Sequence, residues 1–351
     1  MVTNIKKLVV FEKFADPIAE RALQARPDID LVRLRYAGNE AESWSEFSRT
    51  HGYQIGSRVE LREPWFGDPN LIAKSPNLLA ICSMGAGYDV IDVDACTKAG
   101  VIVCNQSGTN KEAVAEHALG FMLALSKKMI QADRAMRREK NLDRFLFTGN
   151  DLLGKTVGII GIGHIGTRVS DLCRGLFRMT VLAYDPYLTS EQIAARGGTK
   201  VELDELLERS DYVTMHCPRT EETFGLIGLE QFSRMKPTAY FINTSRGGTY
   251  KEDGLAEALR QKKIAGAGID VFLEEPPPTD HALMAFDNVI VTPHHAGATH
   301  ETLENMAKAT AEQWIDILDG KVPPRLINPR AWPKYMERFA SVLGFKPAAL
   351  A

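Results

Sequence analysis

The sequence predicts an α/β protein with two domains, one of which contains a doubly wound parallel sheet. The chain has 351 residues, which is enough for two domains of ordinary size. From Lys155 onwards, strand-like and helix-like segments alternate. This alternation is typical of right-handed βαβ units around a parallel sheet.

The composition sets limits on the class of protein. With 44% hydrophobic and 25% charged residues, it is typical of a soluble globular protein. A formal net charge of −3 gives no electrostatic reason to expect nucleic acid or an anionic membrane as a partner. No apolar stretch approaches the roughly 18 to 20 residues that span a bilayer. The start of the chain does not read as a signal peptide, because its apolar run is short and charged residues follow at once.

Cysteine usage predicts a reducing, cytoplasmic location. The five cysteines are odd in number and lack CxxC spacing, which disfavours a disulfide framework or a zinc site, and we predict no metal site. We expect all five to be small core residues: Cys82, Cys96, Cys104, Cys173 and Cys217.

The N-terminal part alternates strand and helix. KKLVVFEKF and IDLVRLRY are typical of strands, and the segment DPIAERALQA between them is typical of a helix with Pro17 near its start. LLAICSMG and GVIVCNQS are two further short strands. From Asn110 to Arg138, apolar residues recur every three to four positions, which predicts one long amphipathic helix.

The central block contains six strand-like segments, and such apolar strands suit a sheet that is covered on both faces. They are TVGIIG, TVLAYD, YVTMHC, AYFINTS, AGAGIDVF and NVIVTPH. A second long helix follows His295 and ends at Gly320. Since two long helices bracket the block, we expect one domain of residues 112–307 inserted into a smaller domain of residues 1–111 and 308–351. The tail 331–351 could dock on its own subunit, cover a partner or stay mobile.

The segment VGIIGIGHIG predicts a dinucleotide-binding loop. Gly161, Gly163 and Gly166 follow a strand and open a helix, which is the context that this fingerprint requires. The first glycine allows a tight turn, the second lets a pyrophosphate approach the backbone, and the third lets helix and strand pack closely. The helix N-terminus would bind the phosphates.

An aspartate favours NAD over NADP. Asp185 ends the next strand, nineteen residues after Gly166. It would accept hydrogen bonds from the adenosine ribose, and its charge would repel a 2′-phosphate. No arginine stands directly after it. We expect further cofactor contacts in this domain at His164, Ile165, Pro186, Cys217, Pro218, Thr223, Thr244, Ser245 and Gly297.

Four polar residues at strand ends predict the chemistry: Arg246 in INTSRG, Asp270 in GIDVF, Glu275 in LEEPP and His294 in TPHHAG. Taken singly, each has an ordinary explanation, as a surface charge, a turn former, a solvated acid or a packed histidine. In an open parallel sheet, however, residues at the C-terminal strand ends face the ligand crevice.

Together these residues fit one reaction. Hydride transfer to a ketone needs a proton donor for the developing alkoxide, a role that suits His294. The carboxylate of Glu275 would favour the protonated histidine and fix its tautomer. Arg246 could bind the carboxylate and the carbonyl of a 2-oxo acid with its planar fork. We therefore predict reversible reduction of a 2-oxo acid by NADH.

These motifs resemble the D-isomer-specific 2-hydroxyacid dehydrogenase family, and most of all its D-3-phosphoglycerate dehydrogenase-like branch. The resemblance covers nearly the whole chain. It implies a Rossmann nucleotide domain inserted into a smaller flavodoxin-like substrate domain, and a homodimer. It implies that Arg246, Glu275 and His294 are catalytic and that Asp270 lies near the nicotinamide carboxamide. His295 also stands in TPHHAG, but alignment with the family motif selects His294.

The resemblance also implies a substrate loop. The family's small domain binds the substrate carboxylate through backbone amides of a glycine-containing loop, which matches SMGAGYD. The implied contacts are Met84, Gly85, Ala86 and Gly87, and small residues there let an anion approach the backbone. The two domains would then close over the substrate and expel water.

Two basic residues lie near positions where phosphate-binding relatives carry basic side chains. Arg58 and Arg144 could therefore bind a distal anion on the substrate, although both could equally be ordinary surface arginines.

Alternative functions stay open at this point. Phosphite dehydrogenases keep a similar triad, and so do related NAD(H)-sensing corepressors. Formate dehydrogenases have glutamine at the position of Glu275, so that reaction is disfavoured. His117, in VAEHALG, is predicted to be a helix-packing or domain-junction residue rather than a proton donor.

Overall fold

The computed structural model describes residues 5–350, so the first four residues of the chain start discussed above and the last residue of the tail lie outside the described residues. The chain divides into two compact units. The first comprises the chain up to Asn110 together with the segment from Thr299 onwards, and the second is Lys111–Ala298.

The elements follow one another in chain order. Up to Asn110 they are β1 (Lys6–Phe11), α1 (Pro17–Gln24), β2 (Ile29–Leu34), α2 (Glu40–Phe47), β3 (Gly52–Ile55), α3 (Pro69–Lys74), β4 (Ala80–Ser83), α4 (Val93–Ala99) and β5 (Ile102–Cys104). The second unit contains α5 (Lys111–Ser126), α6 (Met129–Arg138), β6 (Thr156–Ile160), α7 (His164–Phe177), β7 (Thr180–Tyr184), α8 (Ser190–Ala195), β8 (Thr199–Lys200), α9 (Leu203–Arg209), β9 (Tyr212–Met215), α10 (Leu229–Arg234), β10 (Tyr240–Asn243), α11 (Glu252–Arg260), β11 (Gly266–Ile269) and β12 (Val289–Val291). The chain then returns to the first unit with α12 (His300–Leu318) and α13 (Trp332–Leu343).

The first unit is built on a five-stranded sheet in the order β2-β1-β3-β4-β5, with every neighbouring pair parallel. This order is that of flavodoxin-like doubly wound sheets. Trp314 of α12 is fully buried in its core and donates from Nε1 to Oε1 of Gln54 on β3, at 2.7 Å. Strand β3 was not predicted, because four residues that include a glutamine carry little strand signal.

The C-terminal segment belongs to this first unit. All of α12 does so, whereas a domain boundary near residue 307 would divide the helix. The tail forms α13, and Trp332, Tyr335 and Phe339 on one face of that helix are buried in the same core as β1 and α12. Of the three possibilities for the tail, the structure therefore shows docking on its own subunit.

The second unit has a seven-stranded parallel sheet in the order β12-β11-β10-β9-β6-β7-β8. Counted within the unit, this is 7-6-5-4-1-2-3, the strand order of a Rossmann fold. The order reverses between β6 and β9, where such sheets bind ligands outside the C-terminal strand ends. The predicted fold class is confirmed.

The predicted single helix from Asn110 to Arg138 is wrong, because the structure has two helices, α5 and α6. Lys128 between them has a left-handed backbone, with φ of 50°. The carbonyl of Ser126 accepts the amide of Asn150 at 2.8 Å instead of continuing the helix. The apolar period continues across this break, so periodicity alone does not reveal it.

All five cysteines are free and buried, as predicted. Burial raises the pKa of Cys173 to about 12, so this thiol stays protonated at neutral pH. Among the described residues, no helix combines the length and apolar character that crossing a membrane requires.

Candidate active site

Nearly all predicted site residues of the second unit follow its strands. Parallel strands end at one edge of their sheet, so the residues after β6, β7, β9, β10, β11 and β12 meet there. This edge carries the glycine loop, Asp185, the 216–218 segment, Arg246, Asp270 and His294.

The glycine loop has a separate physical reason for each glycine. Gly161 has φ of 85°, and a Cβ there would lie 2.8 Å from the backbone nitrogen of Cys217. A Cβ on Gly166 would lie 2.4 Å from the carbonyl oxygen of Gly161, so this glycine lets α7 pack onto the loop. A Cβ on Gly163, by contrast, would meet no protein atom within 4 Å. The space beside Gly163 is therefore not filled by other protein atoms.

The start of α7 fits a phosphate. Gly163 precedes the first residue of the helix, and no side chain caps its first amides. Uncapped amides at a helix N-terminus bind anions well, because they donate hydrogen bonds to the anion and the positive end of the helix dipole attracts it. His164 is exposed and Ile165 is half-buried in this first turn.

Asp185 is tied to the same loop. Its carboxylate accepts the amide of Ile162 at 3.2 Å and that of Tyr187 at 3.2 Å. These contacts hold a half-buried acid beside the glycine loop, where the ribose of a bound dinucleotide would lie. The next residue, Pro186, is exposed.

The other predicted cofactor residues lie in loops at the same edge. Cys217 is buried beside Gly161, and the exposed Pro218 accepts the hydroxyl of Thr223 at 2.7 Å. Thr244 and Ser245 follow β10 and are buried, and Gly297 is half-buried after the histidine pair. The hydroxyl oxygen of Thr244 is buried and has no partner among the described residues.

His216, which directly precedes Cys217, was not predicted from the sequence as a site residue. Its Nε2 lies 2.9 Å from the hydroxyl of Thr214. Burial lowers the pKa of His216 to about 3, so this ring is neutral at physiological pH and is unsuited to donate a proton.

His294 and Glu275 form a pair. Nδ1 of His294 lies 2.8 Å from Oε2 of Glu275, while the other carboxylate oxygen accepts the amide of Phe272 at 3.0 Å. The glutamate side chain is only 13% exposed and the histidine side chain is 32% exposed. The contact through Nδ1 leaves Nε2 as the ring nitrogen for a substrate.

The backbone of His294 is unusual. Its φ is 52°, a left-handed conformation that costs free energy for a residue with a side chain. The amide of His294 donates to the carbonyl of Asp270 at 2.8 Å, which holds this conformation. Such outliers cluster at functional sites, because the surrounding structure must hold them in place.

The charge state of Glu275 follows from its contacts. Burial alone favours the neutral acid, but the hydrogen bond and charge of His294, the Phe272 amide and the positive charge of Arg246 outweigh it, so the pKa of Glu275 lies below its ordinary value of 4.5. The pKa of Glu275 is therefore lower in the folded chain than in the unfolded chain. Above the ordinary carboxyl pKa the ionised side chain stabilises the fold, and this stabilisation is lost as the pH falls through the lower pKa of the folded chain.

The loop of Arg246 packs tightly on the loop of Glu275. A Cβ on Gly247 would lie 1.7 Å from the carbonyl oxygen of Phe272, so only glycine permits this approach. The Arg246 guanidinium donates to the carbonyl of Ser245 at 2.6 Å. Sequence reasoning missed Gly247, although the glycine pair directly after Arg246 was the available signal.

Asp270 is fully buried and organises the histidine loop. Its carboxylate accepts the hydroxyl of Thr292 at 2.6 Å and the amides of His295 and Ala296, each at 3.0 Å. His117 on α5 reaches the same loop, with Nε2 3.2 Å from the Thr292 hydroxyl. His117 thus packs against the loop that carries His294, a long-range contact that leaves no pattern in the sequence.

The predicted substrate loop lies in the first unit, after β4. Its carbonyls are held by neighbours: that of Gly85 by the Gln106 amide, that of Ala86 by the Asn105 side chain, and that of Gly87 by the hydroxyl of Ser83. The amides of Gly85, Ala86 and Gly87 have no acceptor within the described part of the chain. These three consecutive amides are therefore available to donate to an anion.

The neighbouring Met84 is half-buried, and its amide donates to the carbonyl of Ile55 at 3.1 Å.

The two arginines predicted to bind a distal anion lie in different units. Arg58 lies in the first unit, about half exposed, with Nη1 3.7 Å from a carboxylate oxygen of Asp89. Arg144 lies in the second unit, in a short 3-10 helix, and its guanidinium stacks over the ring of Phe145.

The fold and the glycine loop define a dinucleotide-binding α/β protein, and comparisons with known proteins narrow this class. The model of the family described as D-isomer specific 2-hydroxyacid dehydrogenase, NAD binding domain, matches residues 119–296. D-3-phosphoglycerate dehydrogenase from Archaeoglobus fulgidus is 38% identical over 90% of this chain and 58% of its own length. Glyoxylate reductase from Korarchaeum cryptofilum is 40% identical over 74% of this chain and 79% of its own length.

A solved structure agrees with these relatives. D-lactate dehydrogenase from Aquifex aeolicus, in complex with NAD and lactic acid, superposes with a TM-score of 0.78 at 28% identity, covering 91% of this chain and 98% of the other. The chain belongs to the D-isomer-specific 2-hydroxyacid dehydrogenase family. The predicted family and the predicted NAD cofactor are thereby confirmed. The chain spans little more than half the length of its phosphoglycerate dehydrogenase relative.

Proposed function

We propose that this chain is an NAD-dependent oxidoreductase that interconverts a 2-oxo acid and a D-2-hydroxy acid. The observation that carries the proposal is the His294–Glu275 pair, with its 2.8 Å contact, at the sheet edge that also holds the glycine loop. Relatives named as dehydrogenases and reductases of 2-hydroxy and 2-oxo acids support the same reaction class.

In this proposal the side chains of the second unit handle the proton and the carbonyl. When bound, NADH supplies the hydride for the carbonyl carbon. His294 donates the proton on Nε2 to the oxygen, while Glu275 accepts a hydrogen bond from Nδ1–H and stabilises the positive ring before that donation. Arg246 binds the carbonyl oxygen and the adjacent carboxylate. In the reverse direction neutral His294 accepts the hydroxyl proton.

The substrate carboxylate is also assigned to the loop of the first unit. The unpaired amides of Gly85, Ala86 and Gly87 support this assignment, because their own carbonyls are turned into the fold and the amides are left for an anion. Backbone amides bind the carboxylate that all 2-oxo acids share, so they do not distinguish one substrate side chain from another.

A substrate panel tests the reaction. NADH consumption would be followed with glyoxylate, hydroxypyruvate, pyruvate, phenylpyruvate, 2-oxoglutarate and 3-phosphohydroxypyruvate, and we expect turnover of at least one. Tight NADH binding with no turnover of any member would contradict the dehydrogenase and favour an NAD(H)-sensing function. A preference for 3-phosphohydroxypyruvate would support the distal-anion role of Arg58 and Arg144, and discrimination against it would remove that role.

We expect Asp185→Ala to weaken NADH binding about 10- to 100-fold, the loss that follows removal of a charged hydrogen-bond acceptor. The same change should relax discrimination against NADPH, since the charge that repels a 2′-phosphate is gone. Fluorescence titration with both cofactors measures the two effects. Asp171→Ala, at an exposed acid on α7, is the matched control. An unchanged ratio of the two affinities would mean that other residues set the cofactor preference.

We also propose a homodimer in a reducing cytoplasm. Met136 on α6 and Phe145 and Leu146 in the 3-10 helix are exposed apolar side chains, and Nζ of Lys128 reaches the carbonyl of Leu146 at 3.3 Å. Exposed apolar groups that lie together favour an interface. Light scattering should give twice the chain mass, and a single chain mass would contradict the dimer.

The free cysteines support the cytoplasmic location, which cell fractionation would test.

A further inference from the structure

A second group of polar side chains lies beside His294, and the proposed reaction gives two of them, His117 and His295, no chemical role. One ligand atom each of His117, Asp270 and His295 lie within 4.8 Å of one another. Nδ1 of His295 is 3.5 Å from Oδ1 of Asp270, and the two imidazole rings meet edge to face at 5.1 Å. Three elements, α5 and the loops after β11 and β12, bring these residues together.

We propose that His117, Asp270 and His295 bind one divalent transition-metal ion of the zinc type. Two imidazoles and one carboxylate are a donor set that zinc and related ions accept, with water as a further ligand. With bonds of about 2.0 to 2.1 Å, neighbouring ligand atoms of a tetrahedral zinc ion lie roughly 3.3 to 3.5 Å apart. His295 and Asp270 already have this spacing, so binding requires only a small movement of the His117 ring.

The surroundings hold the carboxylate in place for a metal. Thr292 donates its hydroxyl to Asp270 at 2.6 Å and lies 3.2 Å from Nε2 of His117, so one residue orients two of the three ligands. The amides of His295 and Ala296 also donate to the carboxylate. Such partners fix ligand orientation and raise metal affinity. The His295 side chain is 49% exposed, so an ion can reach the site from solvent.

The site has a consequence for the cofactor. The family resemblance implies that Asp270 lies near the nicotinamide carboxamide, so an ion on its carboxylate should compete with NADH. This consequence rests on the proposed function, whereas metal binding itself rests only on the three side chains.

Zinc binding by the cofactor-free full chain tests the inference. After chelator treatment, incubation with Zn²⁺ and dialysis to remove the unbound ion, metal analysis should find one Zn²⁺ ion per chain. His295→Gln should weaken binding at least about 10-fold, and Thr292→Val about 10- to 100-fold, as for other residues that orient metal ligands. His300→Gln, at an exposed histidine that begins α12, should leave the affinity unchanged.

Several results would overturn the site. One is an absence of stoichiometric binding, and another is an affinity that His295→Gln does not change. The third is loss of binding in His294→Gln but not in His295→Gln, which would place the ion on the His294–Glu275 pair instead. Thermal unfolding checks that each variant is folded. If Zn²⁺ binds as proposed but NADH does not displace it, the metal site stands and the nicotinamide placement fails.

Discussion

His294→Ala should reduce turnover about 10²- to 10⁴-fold, the typical contribution of a general acid or base, while leaving NADH affinity nearly unchanged. The reason is geometric, because the variant removes the ring that Glu275 orients through the 2.8 Å contact and no part of the glycine loop. Steady-state kinetics and fluorescence titration with NADH measure the two quantities separately. A loss of affinity with unchanged turnover would contradict the assignment.

Two further variants sharpen this experiment. Glu275→Gln keeps the shape and an acceptor oxygen but removes the negative charge, so turnover should fall in the same direction and by a smaller factor. His281→Ala is the matched control, since Nε2 of His281 lies 3.1 Å from a carboxylate oxygen of Glu252 and forms a histidine–glutamate pair without an assigned catalytic role. Near-full activity of His294→Ala, with the loss appearing instead in His295→Ala, would move the proton donor to His295.

The parts of the site that the sequence predicted are local in the chain. Gly161, Gly163 and Gly166 stand within six residues of one another, and the other predicted residues stand at or shortly after strand-like segments: Asp185, Arg246, Asp270 and His294. Strand, turn and helix patterns of this length are determined by neighbouring residues, so they can be read without tertiary information. The same reason explains why the family resemblance was visible from short motifs.

The parts that the sequence did not predict depend on contacts between distant segments. Ser126 ends α5 because its carbonyl binds Asn150. His117 reaches Thr292 across 175 positions of the chain. β3 is a central strand because β1 and β4 pair with it, and not because GYQI has strong strand character. No local pattern marks any of these contacts.

The unexpected contacts also explain how the site is held. The left-handed His294 and the close approach of Gly247 to Phe272 both constrain short loops after β10, β11 and β12. Asp270 links these loops through hydrogen bonds to three consecutive residues of the histidine loop, the amides of His295 and Ala296 and, through its own carbonyl, the amide of His294. The side chains that the sequence identified are therefore placed by backbone contacts that it did not reveal.

Gly163→Ala should weaken NADH binding while leaving the free energy of unfolding nearly unchanged. A Cβ at Gly163 would meet no protein atom within 4 Å, so the fold has no reason to exclude it, but the added methyl group would occupy the space assigned to the pyrophosphate. A steric overlap of this kind costs about 1 to 3 kcal/mol, which is roughly a 5- to 150-fold loss of affinity. Fluorescence titration and urea unfolding measure the two effects.

Gly166→Ala is the matched comparison, because the same methyl group there would lie 2.4 Å from the carbonyl oxygen of Gly161. This variant should lose stability, by about 1 to 3 kcal/mol for overpacking, even when no cofactor is present. The pair separates two uses of glycine in one loop: room for a ligand at Gly163 and contact between helix and strand at Gly166. If both variants unfolded equally early, the fold would also need the glycine at position 163. If Gly163→Ala bound NADH as tightly as the parent chain, the pyrophosphate would not lie at Gly163.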